Sequence, residues 1–169
     1  MKKIVCILFV LLTSMSTSVF AQSIGVFTWD SKGKYTNVRN APGGKVVDRI
    51  PTNVPAMIGV KEPTNGWWKL VDNEYDTGDE QGKLKGSTTG YWIHYSVLAM
   101  GTRNYGNQKL TLRKSPNAKA AAVYSFAKEI LLRPREIKDD WVKVQTIDGK
   151  YTGWIEEEWL CGNALTNCC

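Results

Sequence analysis

The chain has 169 residues, with 22 Lys and Arg against 16 Asp and Glu, a single His and a formal net charge of +6. Hydrophobic content of 43% and charged content of 22% are those of a globular protein and argue against wholesale disorder. The length allows one domain or two small ones, and seven Trp and seven Tyr favour a β protein or a binding surface over a helical bundle.

The first 21 residues read as a secretory signal. Lys2-Lys3 is a positive start, Ile4 to Leu12 an apolar run, and Val19-Phe20-Ala21 ends in a small residue, with cleavage expected before Gln22. The apolar run is too short to span a bilayer, and no later segment qualifies. The expected location is therefore periplasmic or secreted, with no membrane span. Cleavage removes Cys6 and lowers the net charge to +4. Residues 22–103 and 104–169 each carry ten basic and eight acidic groups, and no Lys/Arg run exceeds two residues. Nucleic-acid binding needs a clustered basic face, so it is not expected.

An internal repeat organises the rest of the chain. A shift of 74 places Arg39 on Arg113, Pro42 on Pro116, Lys45 on Lys119, Glu62 on Glu136, Trp67 on Trp141 and Lys69 on Lys143. Further on the shift becomes 62, placing Trp92-Ile93 on Trp154-Ile155 and Leu98 on Leu160. The first copy thus holds about twelve extra residues between Asp72 and Thr89.

Taken in chain order, Ile24–Trp29 reads as an added N-terminal strand. Tyr35–Arg39, Lys45–Ile50, Val54–Val60, Trp67–Val71 and Thr89–Ile93 are predicted strands. Turns at Ala41-Pro42-Gly43-Gly44 and Pro63-Thr64-Asn65-Gly66 separate them. Met100–Gln108 reads as a linker. The second copy repeats the plan with Leu110–Arg113, Ala120–Tyr124, Ile130–Arg133, Trp141–Gln145 and Tyr151–Ile155, with turns at Pro116-Asn117 and Asp148-Gly149. His94–Val97 and Glu156–Trp159 suit single 3₁₀ turns. Five short strands in about 60 residues describe a small closed or nearly closed barrel, marginal alone, so the two units are expected to pack on each other.

Three motifs, met twice in the same order, resemble the bacterial SH3-like (SH3b) domains of exported proteins. In the first copy they are Tyr35-Thr36-Asn37-Val38-Arg39-Asn40-Ala41-Pro42, Gly66-Trp67-Trp68-Lys69-Leu70 and Gly90-Tyr91-Trp92-Ile93. In the second they are Leu110-Thr111-Leu112-Arg113-Lys114-Ser115-Pro116, Trp141-Val142-Lys143-Val144 and Gly153-Trp154-Ile155. The expected fold is all-β, two small SH3-like β-barrels in tandem. The first would span 22–100, with the acidic insert, and the second 109–160, with a linker at 101–108 and a Cys-containing tail at 161–169. The resemblance implies a targeting or ligand-binding module, often for peptidoglycan peptides. With a lone His and no catalytic constellation, the expected function is a non-catalytic binding module of the cell envelope that recognises a peptidoglycan peptide. The alternative is an interaction or inhibitor protein that binds another exported protein through the acidic insert and the Cys tail.

Strand alternation puts Trp68, Leu70, Val142 and Val144 in the core and turns Trp67 and Trp141 outward as stacking platforms. Trp92 and Trp154 are expected in the core. Tyr75 in the insert and Tyr91 complete the candidate ligand-binding set. The insert carries Asp72, Glu74, Asp76, Asp79 and Glu80, but Thr77 and Lys83 stand where a Ca²⁺-binding EF-hand loop needs Gly and Glu, so a solvated loop is expected. No metal, no other cofactor and no enzymatic activity are expected. A three-His zinc site is excluded, and His94 reads as a surface or capping residue rather than a catalytic base. In an oxidising compartment Cys161 can close a short loop with Cys168 or Cys169, worth roughly 2–3 kcal/mol. The odd thiol leaves open a disulfide-linked dimer.

Overall fold

The structure, a computed structural model, describes residues 22–85 and 90–166. The expected signal, Thr89, Cys168 and Cys169 lie outside the described residues. The architecture is all-β and antiparallel throughout, with most strands hydrogen-bonded in one path and the others branching from it, and it fits an SH3-like fold.

Strand β1 (Ser23–Thr28) leads into β2 (Tyr35–Arg39), β3 (Val46–Pro51), β4 (Met57–Thr64) and β5 (Trp67–Leu70). A short hairpin, β6 (Glu74–Asp76) and β7 (Gln81–Lys83), precedes β8 (Trp92–His94), a 3₁₀ turn at Tyr95–Val97 and β9 (Leu98–Thr102). The second half contains β10 (Leu110–Arg113), β11 (Ala122–Phe126), β12 (Leu131–Lys138), β13 (Trp141–Thr146) and β14 (Thr152–Glu156). A 3₁₀ turn at Glu157–Trp159 and β15 (Leu160–Cys161) close it. The strand order runs β3-β2-β8-β5-β4 in one half and β11-β10-β14-β13-β12 in the other, with β1 and β9 between them.

The residues shared at the 74-residue shift do the same work in both halves. The guanidinium of Arg39 donates to the Gly44 carbonyl at 2.6 Å, and that of Arg113 to the Ala120 carbonyl at 2.9 Å; each ties down the turn that comes after it. Lys69 pairs with Glu62 at 2.9 Å and Lys143 with Glu136 at 2.8 Å, both across a bulge. These pairs are partly exposed, so each contributes at most about 1 kcal/mol. Asn65 and Gly66 both take positive φ, the two-residue turn that Asn-Gly favours, and join Thr64 to Trp67.

Strand β9 departs from the expected organisation. Met100–Thr102, read as the start of a linker, belong to it, and it serves both halves. It pairs with β1 through Phe27–Ala99 and Thr28–Leu98, and with β12 through Leu131–Gly101 and Leu132–Met100. Within the second half β9 stands where β1 stands in the first. The Thr28 hydroxyl accepts from the Ala56 amide at 2.9 Å, and the Thr102 hydroxyl accepts from the Ile130 amide at 3.0 Å. Residue Asn104 beyond it is buried, holding Thr102 Oγ1 at 2.8 Å and the Ala127 carbonyl at 2.6 Å.

One core runs through both halves, from Val26, Val38 and Ile93 to Leu112, Leu132 and Ile155. Trp68, Leu70, Val142 and Val144 are buried, as the alternation requires. The Trp68 indole Nε1 crosses to the second half and donates to the Pro134 carbonyl at 3.1 Å. Trp92, expected in the core, is only half-buried: its neighbours Tyr91 and Ile93 point inward, so strand alternation turns Trp92 out over Arg39 and Lys69. Trp154, expected in the core, is buried at 8% exposure, with the Lys143 ammonium of β13 5.8 Å from its ring.

Candidate functional site

The sequence-selected aromatic residues do not converge. Trp67, Trp141 and Tyr75 occupy three separate surfaces, and Tyr91 occupies none. Tyr91 is 4% exposed, with its hydroxyl donating to the Lys85 carbonyl. It sits in the core rather than on a ligand surface, because the chain turns it inward ahead of β8.

Trp67 opens a half-buried ladder of rings and cations at the junction of the halves. Its position as the first residue of β5 sets it opposite His94 on β8, with ring centroids 4.9 Å apart. Arg39 lies 5.6 Å from the Trp67 ring on one side. On the other, His94 meets the Tyr95 ring at 4.6 Å, and the Arg135 guanidinium of β12 lies 3.6 Å over Tyr95. His94 caps the 3₁₀ turn through Ser96: Nδ1 lies 2.7 Å from the Ser96 hydroxyl and accepts from its amide at 3.4 Å. Burial, then Arg135, then Arg133 hold the His94 pKa below its ordinary value. Arg133 donates to the carbonyls of Ser96 and Leu98, tying the turn to β12. Beside Arg135 opens a cleft of about 480 Å³ lined by Pro63, Asn65, Gly66, Glu136 and Ile137.

The equivalent place in the second half is acidic. Trp141 lines a cavity of about 680 Å³ with Asp140, Glu156, Glu157, Glu158 and Arg103. Glu156 stands opposite Trp141, where His94 stands opposite Trp67. Burial raises the Glu157 pKa and nearby Asp140 adds to that, opposed by a hydrogen bond of 3.3 Å from Gln22.

The acidic insert forms a hairpin rather than an unpaired loop, through Glu74–Lys83, Tyr75–Gly82 and Asp76–Gln81. Three of its five carboxylates are engaged locally: Asp72 accepts from the Glu74 amide at 2.9 Å, Asp76 from the Gly78 amide at 2.6 Å, and Glu74 pairs with Lys83 at 3.5 Å. Among the described residues no group of three His, Cys, Asp or Glu could hold a metal ion. Tyr75 lies flat on Gly82 and walls a cavity of about 560 Å³ between the hairpin, β1, β4 and the segment Gly162-Asn163. The tail reaches the insert there. Leu165 covers Gly78, where an added Cβ would fall 2.2 Å from Leu165 Cδ1 and φ is +84°. Gly78→Ala is expected to cost about 1–2 kcal/mol for the left-handed backbone. It should also free the tail, seen as hydrogen exchange at least about tenfold faster at the Leu165 amide, now held on Asn163 Oδ1 at 2.8 Å. Unchanged exchange would show that Leu165 does not hold the tail.

Cys161 is 4% exposed and is not a free thiol. Arg135, Tyr95 and His94 are the residues that sequence reasoning did not place at a site. Arg135 falls on β12 beyond the strand predicted to end at Arg133, and nothing in the local pattern signals that it crosses to Tyr95. The second half also presents a stacked pair, Tyr124 and Tyr151, with centroids 4.3 Å apart.

Comparison with known proteins assigns part of this architecture. No curated protein matches the chain. Two solved structures, NlpC1 and NlpC2 from Trichomonas vaginalis, align at 13% and 11% identity, each with a TM-score of 0.30. They cover 90% and 83% of this chain, which spans about half of either (50% and 48%). Residues 107–162, which hold β10 to β15, match the family model of the bacterial SH3 domain.

Proposed function

We propose that the protein is an exported, non-catalytic binding module of the cell envelope that recognises a peptidoglycan peptide, built from two SH3-like units that share β9. The observation that carries this reading is the match of residues 107–162 to the bacterial SH3 domain, together with the same strand order in the first half. The half-buried Trp67 and Trp141, at equivalent hairpins, are the surfaces it would use. The tail would be stapled by a disulfide from Cys161. Co-sedimentation of the mature protein with purified sacculi tests the proposal. Retention is expected, with no soluble muropeptides released. Failure to sediment would overturn wall binding, and release of fragments would overturn the non-catalytic assignment.

A second reading is favoured by one contact. Leu165 of the tail rests on Gly78 of the insert, so the insert and the tail form one surface. An interaction or inhibitor protein would use that surface for another exported protein. It would give no retention on sacculi and a partner whose capture is lost when residues 72–83 are replaced by a short turn.

A further inference from the structure

We propose that the cleft beside Arg135, between the β4–β5 turn and β12, is a carboxylate-recognition site. In it the Arg135 guanidinium is the anion hook, and Tyr95, His94 and Trp67 form the adjoining stacking wall. The assignment deepens the wall-peptide reading and rests on it only in making the carboxylate that of a stem peptide.

The chemistry follows from how Arg135 is held. Its guanidinium lies 3.6 Å over Tyr95, and one terminal nitrogen donates to Gln145 Oε1 at 3.1 Å. Those contacts fix the plane of the fork and leave its remaining N–H groups for a ligand. A planar fork with donors in fixed array matches a carboxylate in bidentate fashion, which a lysine cannot reproduce. Arginine charge dominates the site: among the described residues, none of the ion pairs uses an arginine, while Glu136 lines the cleft and Asp30 acts on Arg133. Arg133 and Arg135 both act on His94, and Arg39 faces Trp67 from the far side. The nearby carboxylates are engaged elsewhere, Glu136 with Lys143 and Glu62 with Lys69. The cleft also requires both halves, because Pro63, Asn65 and Gly66 come from the first and Arg135, Glu136 and Ile137 from the second, with Tyr95 of the first half beneath the Arg135 guanidinium. Its counterpart around Trp141 carries Asp140, Glu156 and Glu157 in place of Gly66, His94 and Tyr95, so the two tryptophan surfaces have opposite charge.

Two probes separate the carboxylate from the rest of a peptide: N-acetyl-alanyl-alanine with a free C-terminus, and the same dipeptide as its C-terminal amide. Titrated into the mature protein and followed by NMR, the free acid is expected to shift the Trp67 indole resonance. It should also raise the His94 titration midpoint, since a bound anion offsets the field of Arg133 and Arg135. The amide is expected to do neither. Arg135→Gln and Arg135→Lys should weaken the response to the acid about tenfold or more, the loss of a charged bidentate contact. The Trp68 indole resonance reports that each variant keeps its fold. Equal responses to acid and amide, no response to either, or an undiminished response in both variants would each overturn the site. Dipeptide binding without retention on sacculi would overturn the wall reading and leave the site standing. Retention on sacculi with no dipeptide response would do the reverse.

Discussion

Trp68→Ala is expected to cost about 3–5 kcal/mol, the usual range for deleting a buried large aromatic side chain. Domains of this kind hold about 5–15 kcal/mol in total, so the variant should be partly unfolded at 37 °C or close to it. Trp68 is fully buried at the centre of β5, and its indole reaches out of its own half to the Pro134 carbonyl. Its loss opens a cavity and leaves a buried acceptor without its donor. Trp68→Phe separates the two effects. It keeps most of the volume and gives up the hydrogen bond, for which an unsatisfied buried carbonyl costs about 1–3 kcal/mol. Urea denaturation of the three proteins measures both terms. A loss below about 1 kcal/mol for the alanine variant would mean that Trp68 does not hold the two halves together.

The second large effect concerns β9. A fragment of residues 103–169 contains the whole segment matched to the bacterial SH3 domain, residues 107–162, yet it is expected to be unfolded. A fragment of residues 96–169 should fold. In the shorter piece β12 loses Met100 and Gly101, and β15 loses Gly101 and Thr102. The Ile130 amide loses the Thr102 hydroxyl, and Asn104 loses its buried partner. Units of about 60 residues bury only about 60% of their unfolded surface and cannot spare a strand. Amide-proton dispersion in a two-dimensional NMR spectrum distinguishes the outcomes. A dispersed spectrum from the shorter fragment would show that β9 belongs to the first half alone.

Much of the fold is legible in the residues. Period-two alternation through Trp67–Leu70 and Trp141–Val144 sorts inward from outward side chains, and the structure follows it. Asn65-Gly66 announces a tight hairpin, and Glu62 with Lys69 predicts its own echo in Glu136 with Lys143. The same reasoning fails where a residue's surroundings come from a distant segment. Trp92 alternates with two buried neighbours, and only the placement of β2 and β5 shows that it faces outward. Tyr91 looks like a surface ring until its hydroxyl is seen to close on Lys85. Met100–Thr102 sit in a Gly- and Asn-containing stretch with linker composition, but two partners, β1 and β12, recruit them as a strand.

The candidate site divides in the same way. Trp67 was legible because a hairpin's first residue has one face outward. His94 was legible as a cap, through its reach to Ser96. Arg135 was not, because its partner Tyr95 lies 40 residues away in the other half and no local period encodes that approach. By itself, then, the sequence determined the all-β character and the faces of the Trp67–Leu70 and Trp141–Val144 strands, and it pointed to one strand plan used twice, because these depend on spacings of two residues and on turn chemistry. Tertiary structure alone decided that β9 serves both halves, that Leu165 lies on Gly78 and that Arg135 meets Tyr95. Those contacts join segments far apart in the chain, and the shared core that brings them together is a property of both halves at once.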